Sequence, residues 1–260
     1  MKRISRSEAA AHVRPAPVFV LVEPQMGENI GAAARAMLNF GVSGLRLVNP
    51  RDGWPNPKAT AMASGAASVI DGAQVFSTLD AAIADCQFVV ATTARMRELA
   101  TPMLEPEAAL KRVSEKIAMG DRVAILFGGE RNGLSSDDVA RADVILSVPT
   151  NPAFASINLA QAALLVAYEW ARVRPFADEA AETAANRRPQ DAPAARADVD
   201  RLYQHLETAL DARGYFFPVE MRGVMTRNLR AAFVRAGFSE SEVRTLHGVF
   251  KSLSRKGDEA

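Results

Sequence analysis

From residue 18 to residue 173, apolar residues fall in short near-continuous runs rather than in strict alternation. Such runs occupy 18–22, 45–48, 88–91, 123–127 and 144–148, with a shorter one at 74–76. Continuous apolar runs of this length predict strands buried on both faces, as in a parallel sheet. The segments between them place apolar residues at helical spacing. They predict helices over 30–40, 59–64, 79–84, 106–118, 136–141 and 158–173. Strand–helix alternation of this kind predicts an α/β fold: a mostly parallel sheet with helices on both faces.

The pattern breaks after residue 173. Residues 174–197 are rich in alanine, charge and proline, with hardly a large apolar side chain after Phe176, and read as a linker. Beyond it Val199, Leu202, Tyr203, Leu206 and Leu210 recur at helical spacing, with Gly214 as a stop signal. Further helices fit 222–236, closed by Gly237, and 241–253, opened by a capping-like Ser239 to Glu242. The expected organisation is a tail at 1–16, a domain at 17–173, the linker at 174–197 and a helical module at 198–260. That module is too small for a core of its own and is expected to dock on another surface.

Composition narrows the classes. With 260 residues, 48% of them hydrophobic, the chain can bury a full core. A net charge of +1 gives no global field for nucleic acid, so any basic surface must be local or shared between subunits. The single cysteine, Cys86, excludes an intrachain disulfide and a cysteine-based metal site. No segment has signal-peptide or transmembrane character, which leads to the expectation of a cytoplasmic protein.

Four segments stand out as candidate chemistry. In 27–37 (GENIGAAARAM) the predicted helix carries Ile30, Ala33, Ala34, Met37 and Leu38 on one face, with Arg35 pointing away among Ala32, Ala36 and Asn39. A face of small residues around one arginine suggests crowding by a partner subunit or a ligand, and Gly27 and Gly31 permit close backbone approach. The spacing fits neither a dinucleotide fingerprint nor a phosphate-binding loop with its lysine. In 125–149 a buried strand runs into Gly128-Gly129-Glu130-Arg131-Asn132-Gly133, and Ser135 or Ser136 can cap a short helix. Segment 147–170 places Ser156 and Asn158 at a helix start, as caps or as groups that orient a polar substrate. Thr92 and Thr93 follow directly on a strand. Such strand C-termini are where α/β proteins bind ligands. His12, His205 and His247 lie outside all four segments, so no Ser-His-Asp set or clustered metal pattern can be written.

Residues 29–36 (NIGAAARA), 126–134 (LFGGERNGL) and 147–169 (SVPTNPAFASINLAQAALLVAYE) together resemble, in order, the three motifs of the SPOUT superfamily of RNA methyltransferases, in its TrmH/SpoU branch. The resemblance covers 18–173, and the tail resembles, more loosely, a subgroup acting on the tRNA anticodon loop. It implies a C-terminal trefoil knot, a homodimer and S-adenosyl-L-methionine as cofactor. The implied cofactor pocket uses Thr92, Thr93, Ala94, Gly128, Gly129, Val148, Ser156, Ile157 and Asn158. The implied reaction is methylation of a cytidine or uridine ribose 2′-hydroxyl at anticodon-loop position 32, with no metal. Arg35, discussed in the family as a general base, is expected instead to hold a phosphate and stabilise an alkoxide, because guanidinium stays protonated. Ser156 and Asn158 are expected to orient the ribose or shape the pocket, and Glu130 to fix Arg35 or a ligand hydroxyl. RNA contact is expected at Asn29, Arg35, Arg222, Arg227, Arg230 and Arg235. The alternatives are methylation of rRNA or another tRNA site, a non-catalytic RNA-binding protein, and a Rossmann-type nucleotide enzyme.

Overall fold

The computed structural model describes residues 15–93, 101–173 and 192–255. The expected tail up to residue 14, the pocket residue Ala94 and most of the linker lie outside the described residues. Seven parallel strands form one sheet in the order β3-β2-β1-β6-β4-β7-β5. The strands are β1 (Val18–Val22), β2 (Leu45–Val48), β3 (Gln74–Phe76), β4 (Phe88–Thr92), β5 (Met103–Leu104), β6 (Val123–Gly128) and β7 (Val144–Leu146). The helices of this domain are α1 (Gly27–Asn39), α2 (Pro57–Ala63), α3 (Ala67–Asp71), α4 (Leu79–Ile83), α5 (Pro106–Ala118), α6 (Ser136–Val139) and α7 (Leu159–Val173).

The side-chain alternation of the strands divides the core into two layers. Phe19, Leu21, Ile125 and Phe127 face one way, with Ile30 of α1, Leu110 of α5 and Val166 of α7 over them. Val20, Val22, Ala124 and Leu126 face the other way, under Leu79 of α4 and Val139 of α6. A slip of one residue in the β1–β6 pairing would exchange the two sets, so the packing fixes the register. Local signals set several boundaries. Asn56 caps α2 ahead of Pro57, and Ser135 and Asp138 form a capping box on α6.

Two short elements go beyond the expected set. β5 is a two-residue edge strand on β7, and α3 is a five-residue helix; both are too short to show a period. β7 ends at Leu146, two residues early, because the chain turns there into the loop before α7. Leu38, expected on the buried face of α1, is 39% exposed. The small residues of α1 also have an intrachain explanation. A Cβ at Gly31 would lie 2.8 Å from Met62 Cβ and closer still to the Ala59 carbonyl oxygen, and one at Gly27 would strike the Asn56 side chain. The glycines therefore seat α2 against α1, a role for which no partner subunit is needed.

The C-terminal helices are α8 (Arg196–Asp211), α9 (Arg222–Ala236) and α10 (Glu240–Arg255). Ala194, Val199, Leu202 and Val243, with Phe233, Phe238 and Phe250, make their small core. The module docks on the sheet domain through the start of α8. Arg196 N–H donates to Cys86 O at 2.9 Å and Ala197 N–H to Ala84 O at 3.1 Å, so carbonyls beyond α4 satisfy open helix donors. The Arg196 guanidinium pairs with Asp143, which also accepts from Val89 N–H at 2.7 Å. Burial pushes the Cys86 thiol up to about 12, leaving it a packing residue at this seam. No helix among the described residues is long and apolar enough to cross a membrane.

At the N-terminal end of the sheet, buried Arg46 donates to both carboxylate oxygens of Asp85, at 2.6 and 2.8 Å, and to Ala82 O. The Arg46 hydrogen bonds, then Arg122, hold the Asp85 carboxyl well below the usual carboxylate range. Asp85→Ala leaves a buried guanidinium without its carboxylate. The expected cost in urea unfolding at neutral pH is about 2 kcal/mol, reduced because Asp85 is half exposed. Because the folded pKa is depressed, the contribution is full above about pH 5 and fades as pH falls below about 4. The variant should show a correspondingly weaker loss of stability with acid.

Candidate active site

The loops after β4, β6 and β7 converge at the C-terminal ends of their strands and enclose a cavity of ≈ 270 Å³. Thr92, Thr93, Gly128, Gly129, Glu130, Val148, Ser156 and Ile157 line it, so most of the expected pocket residues come together. Leu134, Leu146 and Leu159 add apolar wall not named among the expected pocket residues; Leu134 and Leu159 lie within the motifs and Leu146 borders one. The β6 loop is a closed turn. Gly129 and Gly133 form an antiparallel bridge, with Gly133 N–H donating to Gly129 O at 2.8 Å. A Cβ at Gly128 would lie 2.6 Å from Gly133 Cα and closer to the Leu134 nitrogen, so no other residue fits that turn. Thr92 Oγ1 donates to Leu126 O at 2.8 Å, joining the β4 and β6 ends.

Glu130 ties this loop to two others. Its carboxylate accepts from Gln25 N–H at 2.7 Å, Met26 N–H at 3.2 Å and Asn29 Nδ2 at 2.7 Å. The α1 N-terminus has no side-chain cap of its own, and the carboxylate, bonded to N–H groups just ahead of the helix, opposes the helix dipole. Asn29 Oδ1 in turn accepts from Asn158 Nδ2 at 3.1 Å. Asn158 Oδ1 caps α7, accepting from Ala160 N–H at 2.9 Å and Gln161 N–H at 3.3 Å. One hydrogen-bonded line therefore crosses all three sequence motifs.

This line changes several expected roles. Glu130 meets the start of α1, and the expected bond to Arg35 is not among its contacts with described residues. Asn158 uses both ends of its amide within the chain, and does not line the cavity. Asn29, expected at RNA, has its amide engaged on both sides by Glu130 and Asn158. Ser156 reaches the cavity wall and is exposed. Arg35 is exposed, outside the cavity lining, and has no ion pair or hydrogen bond among the described residues. It sits two helical turns beyond Gly27, roughly 12 Å along α1.

The expected basic face of the tail is largely neutralised. Arg222 pairs with Asp211 at 3.2 Å and Glu207 at 3.5 Å and lies over the Phe216 ring. Arg230 pairs with Asp200 at 2.9 Å, half-enclosed over Tyr203, and Arg227 reaches Asp137 at 3.5 Å. Their acids come from α8 and α6, so the absence of acids within α9 gave no warning. Arg235 alone of the four remains exposed without an ion pair among the described residues.

Two family models match this chain. Residues 16–168 match the SpoU rRNA Methylase family, and residues 197–260 match the tRNA methyltransferase TrmJ, C-terminal domain. A tRNA (cytidine/uridine-2'-O-)-methyltransferase TrmJ from Klebsiella pneumoniae is 39% identical over 239 residues, covering 92% of this chain and 96% of that protein. The crystal structure of TrmJ from Z. mobilis ZM4 is 46% identical with a TM-score of 0.81, covering 92% of this chain and 99% of that one. A probable methylase family protein from Haemophilus influenzae Rd KW20 is 29% identical with a TM-score of 0.56, over 92% and 96% of the two chains. With two motifs on one cavity, the third joined to them by hydrogen bonds, and matches spanning both sheet domain and helical module, this chain belongs to the SpoU methylase family.

Proposed function

We propose that this protein transfers a methyl group from S-adenosyl-L-methionine to the 2′-hydroxyl of a cytidine or uridine ribose in tRNA. The observation that carries the reading is the convergence of the second and third motifs, with Thr92 and Thr93, on one cavity at the strand C-termini, to which Asn29 of the first motif is tied through Glu130 and Asn158. Similarity to tRNA 2′-O-methyltransferases along nearly the whole chain supports tRNA over rRNA as substrate. In this reading residues 17–173 form the catalytic domain, with the knot of its superfamily in the loops around the cavity, and the protein acts in the cytoplasm.

The cavity residues fit the cofactor. Leu134, Leu146, Val148 and Ile157 offer an apolar slot for a flat base, and the closed glycine turn offers backbone groups to its polar edge. When bound, the cofactor supplies a methyl group on a positively charged sulfonium. What the protein adds is positioning. The Glu130–Asn29–Asn158 line holds the β6 loop and the starts of α1 and α7 together. Arg35 binds the phosphate next to the target ribose and stabilises the oxyanion as the hydroxyl proton leaves.

Because Arg35 stands outside the cavity of its own chain, we infer that it serves the cavity of a second subunit. On α7, Leu164, Leu165 and Tyr168 lie on one exposed face, and Tyr168 meets Phe40 beyond α1 edge-on at 5.7 Å between ring centroids. With exposed Leu38, one turn from Arg35, they supply an apolar face for a homodimer.

Arg35→Ala should lower methyl transfer to unmodified tRNA by about 100-fold or more, with S-adenosylhomocysteine affinity retained. Near-normal transfer, measured with radiolabelled cofactor, would sink the assignment. Gly128→Ala acts on the other side of the reaction. At 100-fold excess over Kd, S-adenosylhomocysteine should stabilise the wild type by about 2.7 kcal/mol in thermal unfolding, and this gain should vanish in the variant. An equal gain in both would place the cofactor elsewhere.

A further inference from the structure

A second cavity, ≈ 320 Å³, lies where the helical module meets the sheet domain. Its floor is the N-terminal edge of the sheet at Gln87, Phe88 and Asp143, the edge opposite the first cavity. With roughly 3.3 Å per strand residue, the five residues of β4 separate the two by about 17 Å. Arg112 and Lys116 of α5 supply cations from the sheet domain, and Arg196 of α8 and Arg235 of α9 supply them from the module.

The acids nearby do not balance these charges. Asp143 is held by Arg196, and Asp121 lies 3.9 Å from Lys116, whose ammonium also sits over the Phe88 ring. Arg112 and Arg235 are exposed and have no ion pair or hydrogen bond among the described residues. A separate observation concerns Arg196, which is 3% exposed. Its Nε is buried and has no hydrogen-bond partner among the described residues. A concave wall with two unbalanced guanidinium groups suits a tetrahedral oxyanion, which takes several N–H donors at once.

We propose that this junction cavity binds a phosphate group of the RNA substrate's backbone, remote from the methylated ribose. The proposal rests on the tRNA reading above for the source of the phosphate. An interaction so far from the reacting atoms holds substrate equally before and during methyl transfer, so it acts on KM and not on kcat. It also requires module and sheet domain to be docked, which gives the Arg196–Asp143 pair a functional consequence.

The test uses the full chain and the double variant Arg112→Ala/Arg235→Ala, whose altered side chains are exposed. Inorganic phosphate, compared with chloride at equal ionic strength, should stabilise the wild type in thermal unfolding and lose that effect in the variant. For tRNA, the slope of log affinity against log salt should fall by about 0.7–0.9 for each phosphate that is no longer neutralised. KM should rise about tenfold, most of the loss lying there and not in kcat, and Arg112→Lys/Arg235→Lys should recover most of it. An unchanged salt slope and KM overturn the RNA-binding proposal; if phosphate still stabilises only the wild type, the cavity serves a small free anion instead. Failure of the wild type to methylate tRNA would count against the functional reading, while the phosphate arm would still judge the cavity.

Discussion

The carboxylate of Glu130 is the constraint on which the catalytic end depends. It sits at the β6 loop and takes hydrogen bonds from Gln25, Met26 and Asn29, about a hundred positions earlier in the chain. The α1 N-terminus brings a positive dipole end, which the carboxylate opposes while it accepts from the N–H groups just ahead of the helix. Asn29 passes the connection to Asn158, which starts α7. Three strand ends, two helix starts and a glycine turn are thereby held in one arrangement.

The two ends of the sheet divide the work. At the C-terminal ends, loops open into the first cavity. At the N-terminal ends, pairs with buried arginines dominate: Arg46 with half-exposed Asp85, and Arg196 with Asp143. A buried pair is costly to desolvate and costly to break, so its value here is in fixing which surfaces meet. The Arg196 pair, with the two carbonyls that cap α8, specifies where a module with a small core must sit.

Most strands were legible because burial on both faces writes a near-continuous apolar run, with β3 an exposed exception; α5 was legible because its periodicity is clear, and α9 because Gly237 closes it. β5 and α3 were not, since elements of two and five residues depend on neighbours for their existence. The pocket loops could be recognised by their motifs, and most of the named residues do line the cavity. The roles of particular side chains were harder to read. Nearly bare α1 suggested an outside partner, yet its glycines are occupied by α2 of the same chain. The arginines of α9 looked like a basic face because their acids lie on other helices. Ion pairing between distant segments leaves no local trace. Arg35 keeps the character its sequence suggested: exposed, without a partner among the described residues, and beside an apolar face that a second subunit suits.

The central claim is that Glu130 and Asn29 act as one brace on the catalytic cavity. A double-mutant cycle of Glu130→Ala and Asn29→Ala, read by S-adenosylhomocysteine affinity and by methyl transfer to tRNA, measures their coupling directly. The account predicts that the second substitution adds little once the first is made, with a coupling of about 1 kcal/mol or more. Losses that add to within about 0.3–0.5 kcal/mol would mean that the two residues act independently, and would contradict it.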